Sequence, residues 1–305
     1  MDTKRKKCWI DASIQLFLGL MFIVSGVLKS MDIYGTELKL IEYGNSLGWD
    51  FLINHYVLFA IILCTFELWL GLWLSTFFYR KIAILTLITT MLFFTAITIF
   101  FVINPEKNII DCGCFGELFP MSLTASLLKN CLFLLLSGYL LWTHRKKEIK
   151  LSKDLNLLLL AWLCCSILLP LYTAYHLSIY NPTGYGEGTN LREKKEFVLL
   201  DQDLEDVKGK VLNSTGKTYI FVLKHQPDYA NRRKIQEIME KCKESKDSYF
   251  VLSEKDMNLS TDLPCYHVDE VLLKSLVRSH KNGVVLLDKG VVKKVWEMDR
   301  MWEWE

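Results

Sequence analysis

The stretch Asp111-Cys112-Gly113-Cys114-Phe115-Gly116 places two thiols one residue apart. Consecutive Cα atoms lie about 3.8 Å apart, so the pair stays within roughly 7 Å and enters the disulfide window when the chain turns. Gly113 permits that turn and Gly116 a second one, because neither has a Cβ. A ring this tight is expected to be strained, and a strained, exposed disulfide is an oxidising, labile one. Three uses of the two sulfurs stay open. They can cycle between dithiol and disulfide, form a permanent structural disulfide, or ligate a metal. The metal use is disfavoured, since two thiolates lack two further ligands and no histidine is near in sequence. Asp111 beside the thiols opposes thiolate formation, so its expected role is structural or that of a proton relay.

A second set of chemically capable residues lies in apolar surroundings. Glu67 falls within a run that is otherwise uncharged, and a carboxylate there is costly unless neutral or paired. Lys29 and Lys129 are the cations that can reach it. The expectation is a polar cluster of Glu67 with one of these lysines beneath the Cys-Gly-Cys loop. Such a cluster relays protons, contacts a quinone, or acts as a helix-packing ion pair.

These residues need elements to hold them. The 305-residue chain is 51% hydrophobic, and the first 180 residues contain the long apolar runs. Five segments are long enough to cross a bilayer, near Ala12–Leu28, Val57–Phe78, Ile82–Ile103, Leu123–Trp142 and Leu155–Tyr175. Backbone facing lipid must be helical. The first segment is too long for a signal peptide and lacks a small-x-small cleavage site. Loop 30–56 holds a short interfacial helix over Thr36–Tyr43. Gly19 and Gly26, two turns apart, mark a face for close helix packing. Net charge is +2, with no basic stripe and no Gly-rich phosphate loop, which argues against nucleic acid.

Basic residues orient the chain. Lys4 to Lys7, Arg80 with Lys81, and Arg145 to Lys153 mark one side; only Lys29, Lys39, Lys107 and Lys129 lie near the other. The rule of positive charge inside then puts the N-terminus in the cytoplasm. The loops 30–56 and 104–122 and everything from His176 onward face outward, where disulfides persist.

The last 120 residues read as a soluble mixed domain. Strands are expected at Tyr219–Leu223, Tyr249–Leu252, Val284–Leu287 and Val291–Trp296, the last two joined by Asp288-Lys289-Gly290. Helices are expected at Asn231–Glu244 and Val271–Ser279. The order β-α-β-α-β-β is thioredoxin-like. The position of its dithiol, after the first strand, is filled by His225-Gln226-Pro227-Asp228, and Lys281-Asn282 stands where that fold places a cis-proline. A Cys242–Cys265 disulfide is one option for the two remaining outward cysteines. Trp296, Trp302 and Trp304 are expected to cap the domain or to rest on the membrane or a partner.

Several motifs together carry a resemblance. They are Phe22-Ile23-Val24-Ser25-Gly26 with Lys29, Glu42-Tyr43, Glu67, Asn104-Pro105, the Asp111–Gly116 run and Lys129-Asn130. Over roughly residues 10–143 the chain resembles the DoxX/MauE-like family of four-helix membrane proteins, of which MauE is linked to disulfide maturation. The tail resembles the thioredoxin-like domain appended to DoxX-family proteins of Bacteroidetes-type bacteria, through Gly188-Thr189-Asn190 and Gly283-Val284-Val285-Leu286-Leu287.

The expected architecture is an α-helical membrane bundle followed by a soluble α/β domain. Residues 1–150 form the four-helix domain, 151–180 the fifth transmembrane helix and 181–305 the extracytoplasmic thioredoxin-like domain. The expected place is the bacterial inner membrane. The leading expectation is thiol-disulfide redox work: Cys112 and Cys114 accept electrons from an extracytoplasmic protein thiol and pass them to a quinone. Glu67 assists, and Asp111, Gly113, Phe115, Gly116, Lys129 and Lys29 support. Two alternatives remain: a membrane scaffold with a structural disulfide and a docking domain, and a quinone-linked oxidoreductase subunit that depends on Glu67.

Overall fold

The computed structural model of the protein describes residues 3–49, 55–105, 109, 112–117, 119, 121–144, 153–176, 179, 185–194, 197–199, 206–212, 216–245, 247–254, 264–279 and 281–298. Asp111, Lys107, Arg145 to Lys150, Trp302 and Trp304 lie outside the described residues. The chain divides into two compact units, Met1–Tyr172 and Thr173–Glu305.

The first unit contains α1 (Thr3–Met31), α2 (Ile33–Leu47), α3 (Tyr56–Thr76), α4 (Arg80–Ile103), the short strand β1 (Cys114–Glu117), α5 (Leu123–His144) and most of α6 (Lys153–Tyr175). Five of these helices, α1, α3, α4, α5 and α6, are long and apolar enough to cross a membrane. α1, α4, α5 and α6 outrun the segments expected from apolar residues alone, because polar ends such as Lys153-Asp154 continue the helix beyond the hydrocarbon-length stretch, whereas α3 stops at Thr76, two residues short of the expected Phe78, where Phe77 turns into the left-handed region.

Helices α1 and α3 pack closest. A Cβ on Gly71 would meet the Ile23 backbone nitrogen at 2.6 Å and the Gly19 carbonyl at 2.8 Å, so neither helix tolerates a side chain there. Gly26 meets Leu68 in the same way, which gives the glycine face its expected use. Leu18, Phe22, Leu70, Leu74, Leu87 and Phe133 fill the centre of the bundle. The fifth span, α6, is tied to α3 by the Trp69 indole donating to the Leu159 carbonyl at 3.0 Å.

One element departs from its expected role. The helix expected at the interface over Thr36–Tyr43 is α2, twice as long, with Ile33, Tyr34, Thr36 and Glu37 buried against the bundle. Asp32 caps it through Gly35 N at 3.2 Å, and Gly48 in the left-handed region ends it. Its N-terminal half is a wall of the bundle rather than a float on the surface.

The second unit holds α7 (Lys208–Leu212), β2 (Lys217–Leu223), α8 (Tyr229–Ser245), β3 (Ser248–Ser253), β4 (Cys265–His267), α9 (Glu270–Leu276), β5 (Gly283–Asp288) and β6 (Val291–Glu297). The sheet order is β4-β3-β2-β5-β6. β2 runs parallel to β3 and antiparallel to β5, and β5 and β6 form a hairpin. Lys289 and Gly290 both have positive φ, which suits the right-handed twist of a two-residue hairpin. The βαβ unit followed by the antiparallel hairpin is the arrangement expected from the strand and helix pattern. β4 is an added edge strand, too short at three residues to announce itself.

Asn282 takes over the loop after β2. Its side-chain oxygen accepts from Lys224 N at 2.8 Å and His225 N at 3.0 Å, and its amide donates to the His225 carbonyl at 2.9 Å. The segment where the sequence lacks a dithiol is thus held by backbone-directed bonds. Cys242 and Cys265 are both free thiols, Cys265 lying 3.3 Å from the Ser253 hydroxyl, so the disulfide considered for them is not formed.

Candidate functional site

The Cys-Gly-Cys turn sits at one end of the bundle, between α4 and α5. Gly113 and Gly116 have φ of 58° and 66°, the left-handed values that favour glycine, and Gly116 N donates to the Gly113 carbonyl at 3.1 Å. The backbone thereby brings the sulfurs of Cys112 and Cys114 to 2.7 Å. Both residues are half-buried.

Four helices, α1, α2, α4 and α5, contact the turn. From α2, the Tyr43 hydroxyl donates to the Cys112 carbonyl at 2.7 Å, its ring tilted at 39° against Phe101 of α4 with centroids 4.9 Å apart. The aliphatic part of Lys39 covers Gly113, where a Cβ would come within 3.2 Å of Lys39 Cγ. From α4, the Thr98 hydroxyl lies 3.8 Å from Cys112 Sγ; from α5, the Ser126 hydroxyl lies 3.9 Å from Cys114 Sγ. From α1, Ser25 Oγ approaches the Cys114 carbonyl at 2.6 Å.

Glu67 and Lys29 meet beneath this turn. Lys29 Nζ donates to Glu67 Oε1 at 2.6 Å, with side chains only 7% and 2% exposed. Ser25 Oγ lies 2.8 Å from the other carboxylate oxygen, Oε2. The expected polar cluster is therefore formed, and Lys29 rather than Lys129 is its cation. Spacing explains the geometry: Ser25 and Lys29 are four apart on one face of α1. Cys64, three residues before Glu67 on α3, is fully buried beside Thr36.

Lys129 has another position. Its ammonium lies over the Phe115 ring at 5.1 Å, next to Cys114. The Cys114 thiol is lowered to about 5, by the hydrogen bond from Cys112 first and then by the charges of Lys129 and Lys29. Cys112 is pushed the other way, by the same shared bond and by burial. The pair is thus polarised toward a thiolate on Cys114 and a thiol on Cys112. Lys129→Met is expected to move the Cys114 titration up by about one pH unit or more. Alkylation rate against pH, read at Cys114 by mass spectrometry, checks this.

A cavity of about 450 Å³ opens beside the turn. Phe59, Ile62, Phe66, Phe93 and Phe94 make most of it apolar, and Lys29, Lys129, Tyr43 and the two cysteines lie at its polar end. Among the described residues, no cluster of three or more metal-ligating side chains occurs.

Sequence reasoning located Cys112, Gly113, Cys114, Phe115, Gly116, Glu67, Lys29 and Lys129 in one region. Asp111 lies outside the described residues. Thr98 and Ser126 were missed, and Ser25 and Tyr43 stood only as parts of motifs. A hydroxyl or thiol on an apolar helix carries no signal until its partner's position is known.

The description "Methylamine utilisation protein MauE" matches residues 7–143. Protein TlpB of Flavobacterium psychrophilum is 29% identical over 150 residues, covering 48% of this chain. The chain covers 40% of that protein's length. No solved structure matches. The match covers rather less than half of the chain, and over residues 7–143, with their membrane-length helices and glycine-flanked cysteine pair, the protein is similar to the MauE family.

Proposed function

We propose that this membrane protein carries out thiol-disulfide redox chemistry through Cys112 and Cys114 at the outer face of the bacterial inner membrane. The observation that carries the reading is the pair itself: two half-buried sulfurs 2.7 Å apart at the mouth of an apolar cavity, with the Cys114 thiol lowered first by the bond from Cys112 and then by two lysines. A permanent staple has no use for that polarity, whereas exchange depends on it. The basic-residue bias supports a cytoplasmic N-terminus and an extracytoplasmic tail.

In the reaction, a dithiol of an extracytoplasmic protein gives two electrons to the Cys112–Cys114 disulfide. The partner's S–S bond forms as the Cys112–Cys114 bond breaks. The reduced pair then returns two electrons and two protons to a lipid-soluble acceptor, for which a quinone fits the size and apolar character of the cavity. Bound there, a quinone supplies a two-electron, two-proton sink. Lys29, Lys129 and Tyr43 are the donors that would orient it.

The α/β domain serves as a thioredoxin-like docking module. The His225–Asp228 loop stands where exchange chemistry would need a dithiol, and Asn282 holds that loop. A scaffold role for the whole protein, with the pair as a permanent disulfide, is the competing reading.

Differential alkylation across poised redox buffers separates the two. A midpoint around −120 to −200 mV is expected for the oxidant. A pair still oxidised below roughly −300 mV would be a staple, and the exchange reading would fall.

A further inference from the structure

The Ser25 hydroxyl touches two acceptors and carries one proton. It lies 2.8 Å from Glu67 Oε2 and 2.6 Å from the Cys114 carbonyl oxygen. With Glu67 ionised, Ser25 donates to one of them, and the other short contact sets lone pair against lone pair. With a proton on Oε2, Glu67 donates to Ser25 and Ser25 donates to Cys114. Every contact is then a hydrogen bond, and Lys29 still holds Oε1.

Charge runs the same way. In the disulfide state the sulfurs are neutral, and Lys29 serves Glu67 alone. Reduction places a thiolate on Cys114, whose charge Lys29 also feels. Lys129 offsets part of that charge, but Lys29 is then drawn on by two anions, and a proton on Glu67 relieves the competition. The other ionisable groups around Glu67 are few. Its own helix brings Cys64 and Tyr56, α2 brings Lys39 and Tyr43, and α5 brings Lys129. From α4 the cavity receives Met91, Phe93, Phe94, Ile97 and Thr98, none of them an acid or a base.

We propose that the second proton of the reduced couple resides on Glu67 rather than on sulfur, and that Ser25 is the positioning residue tying that proton to the backbone of the redox turn. The inference rests on the redox reading above. The disulfide takes two electrons and two protons and becomes a Cys112 thiol, a Cys114 thiolate and a neutral Glu67. Both electrons and both protons come from the partner dithiol. Reoxidation returns two electrons, the Cys112 proton and the Glu67 proton to the acceptor. Glu67 acts as the proton store that keeps Cys114 ionised.

The test is the pH slope of the midpoint potential, measured by alkylation of the full-length protein in lipid nanodiscs at neutral pH values. A two-electron couple moves about 30 mV for each tenfold change in proton concentration per proton bound. The wild-type protein is expected at about 59 mV per pH unit, two protons. Glu67→Gln is expected to fall to about 30 mV, one proton. The double variant Lys29→Met/Glu67→Gln avoids stranding a buried cation and is expected to show the same fall. Ser25→Ala should shift the slope toward one proton, and Ser25→Thr, which keeps the hydroxyl, should restore it. A wild-type slope of one proton, or a two-proton slope that survives Glu67→Gln, overturns the inference. A pair with no midpoint in any buffer sinks the redox reading itself, so the two failures are distinct.

Discussion

A small monothiol added to the oxidised protein is expected to bond to Cys112 and to release Cys114 as the thiolate, which a fast alkylating reagent then captures. The asymmetry follows from the polarity of the pair. When a partner thiolate attacks a disulfide, the sulfur with the more stable thiolate leaves faster. Cys114 is that sulfur, stabilised by the bond from Cys112 and by Lys129 and Lys29. The partner therefore attaches to Cys112, whose own thiol is pushed up by the shared bond and burial. The new bond to Cys112 forms as the Cys112–Cys114 bond breaks, so one S–S bond replaces another and no outside oxidant is needed. Mass spectrometry of the quenched protein reads which cysteine carries the adduct and which the alkyl group. Equal adducts on both cysteines would show that the lysines do not set the order of attack. No adduct on either would favour the scaffold.

The membrane architecture was legible because bilayer thickness imposes a length that composition reveals. Glycine spacing on α1 likewise announced a close approach, and α3 supplied Gly71 to meet it. The role of α2 was not legible. Ile33, Tyr34, Thr36 and Glu37 mix apolar and polar types in a way that suits an interface as well as a bundle wall. Only tertiary contact, with Tyr43 reaching the Cys112 carbonyl, decides between them. In the tail, alternating strands and the Lys289-Gly290 turn were plain, because a hairpin is a local object. β4 depends on parallel pairing with β3, a long-range fact that three residues cannot encode.

The site was legible in its reactive atoms and illegible in its wiring. Cysteine spacing and an intramembrane glutamate stand out because each is costly or reactive where it occurs. The choice of Lys29 over Lys129 as the partner of Glu67 depends on the register of α1 against α3, which the glycine contacts fix to within a turn. Ser25 is a common residue on a glycine-rich face, with helix packing as its ordinary explanation. Its two acceptors emerge only when β1 is folded over the end of α1.

Lys29→Met is expected to cost the membrane domain about 3–5 kcal/mol, the usual penalty for breaking a buried ion pair from one side. The variant leaves Glu67, 2% exposed, facing an apolar methionine with only Ser25 as donor. The loss should shrink as pH falls, because the stranded carboxylate escapes by taking a proton. Lys29→Met/Glu67→Gln removes both charges, retains a donor toward Ser25, and should recover most of the stability. Volume changes little in either variant, so packing against Phe94 and Gly116 does not account for the difference. Thermal unfolding in mild detergent, followed by tryptophan fluorescence at two pH values, measures both effects. If the single and double variants unfold together at every pH, the pair contributes no coupling. Glu67 would then be held by α3 alone and not by the cation beneath the Cys-Gly-Cys turn.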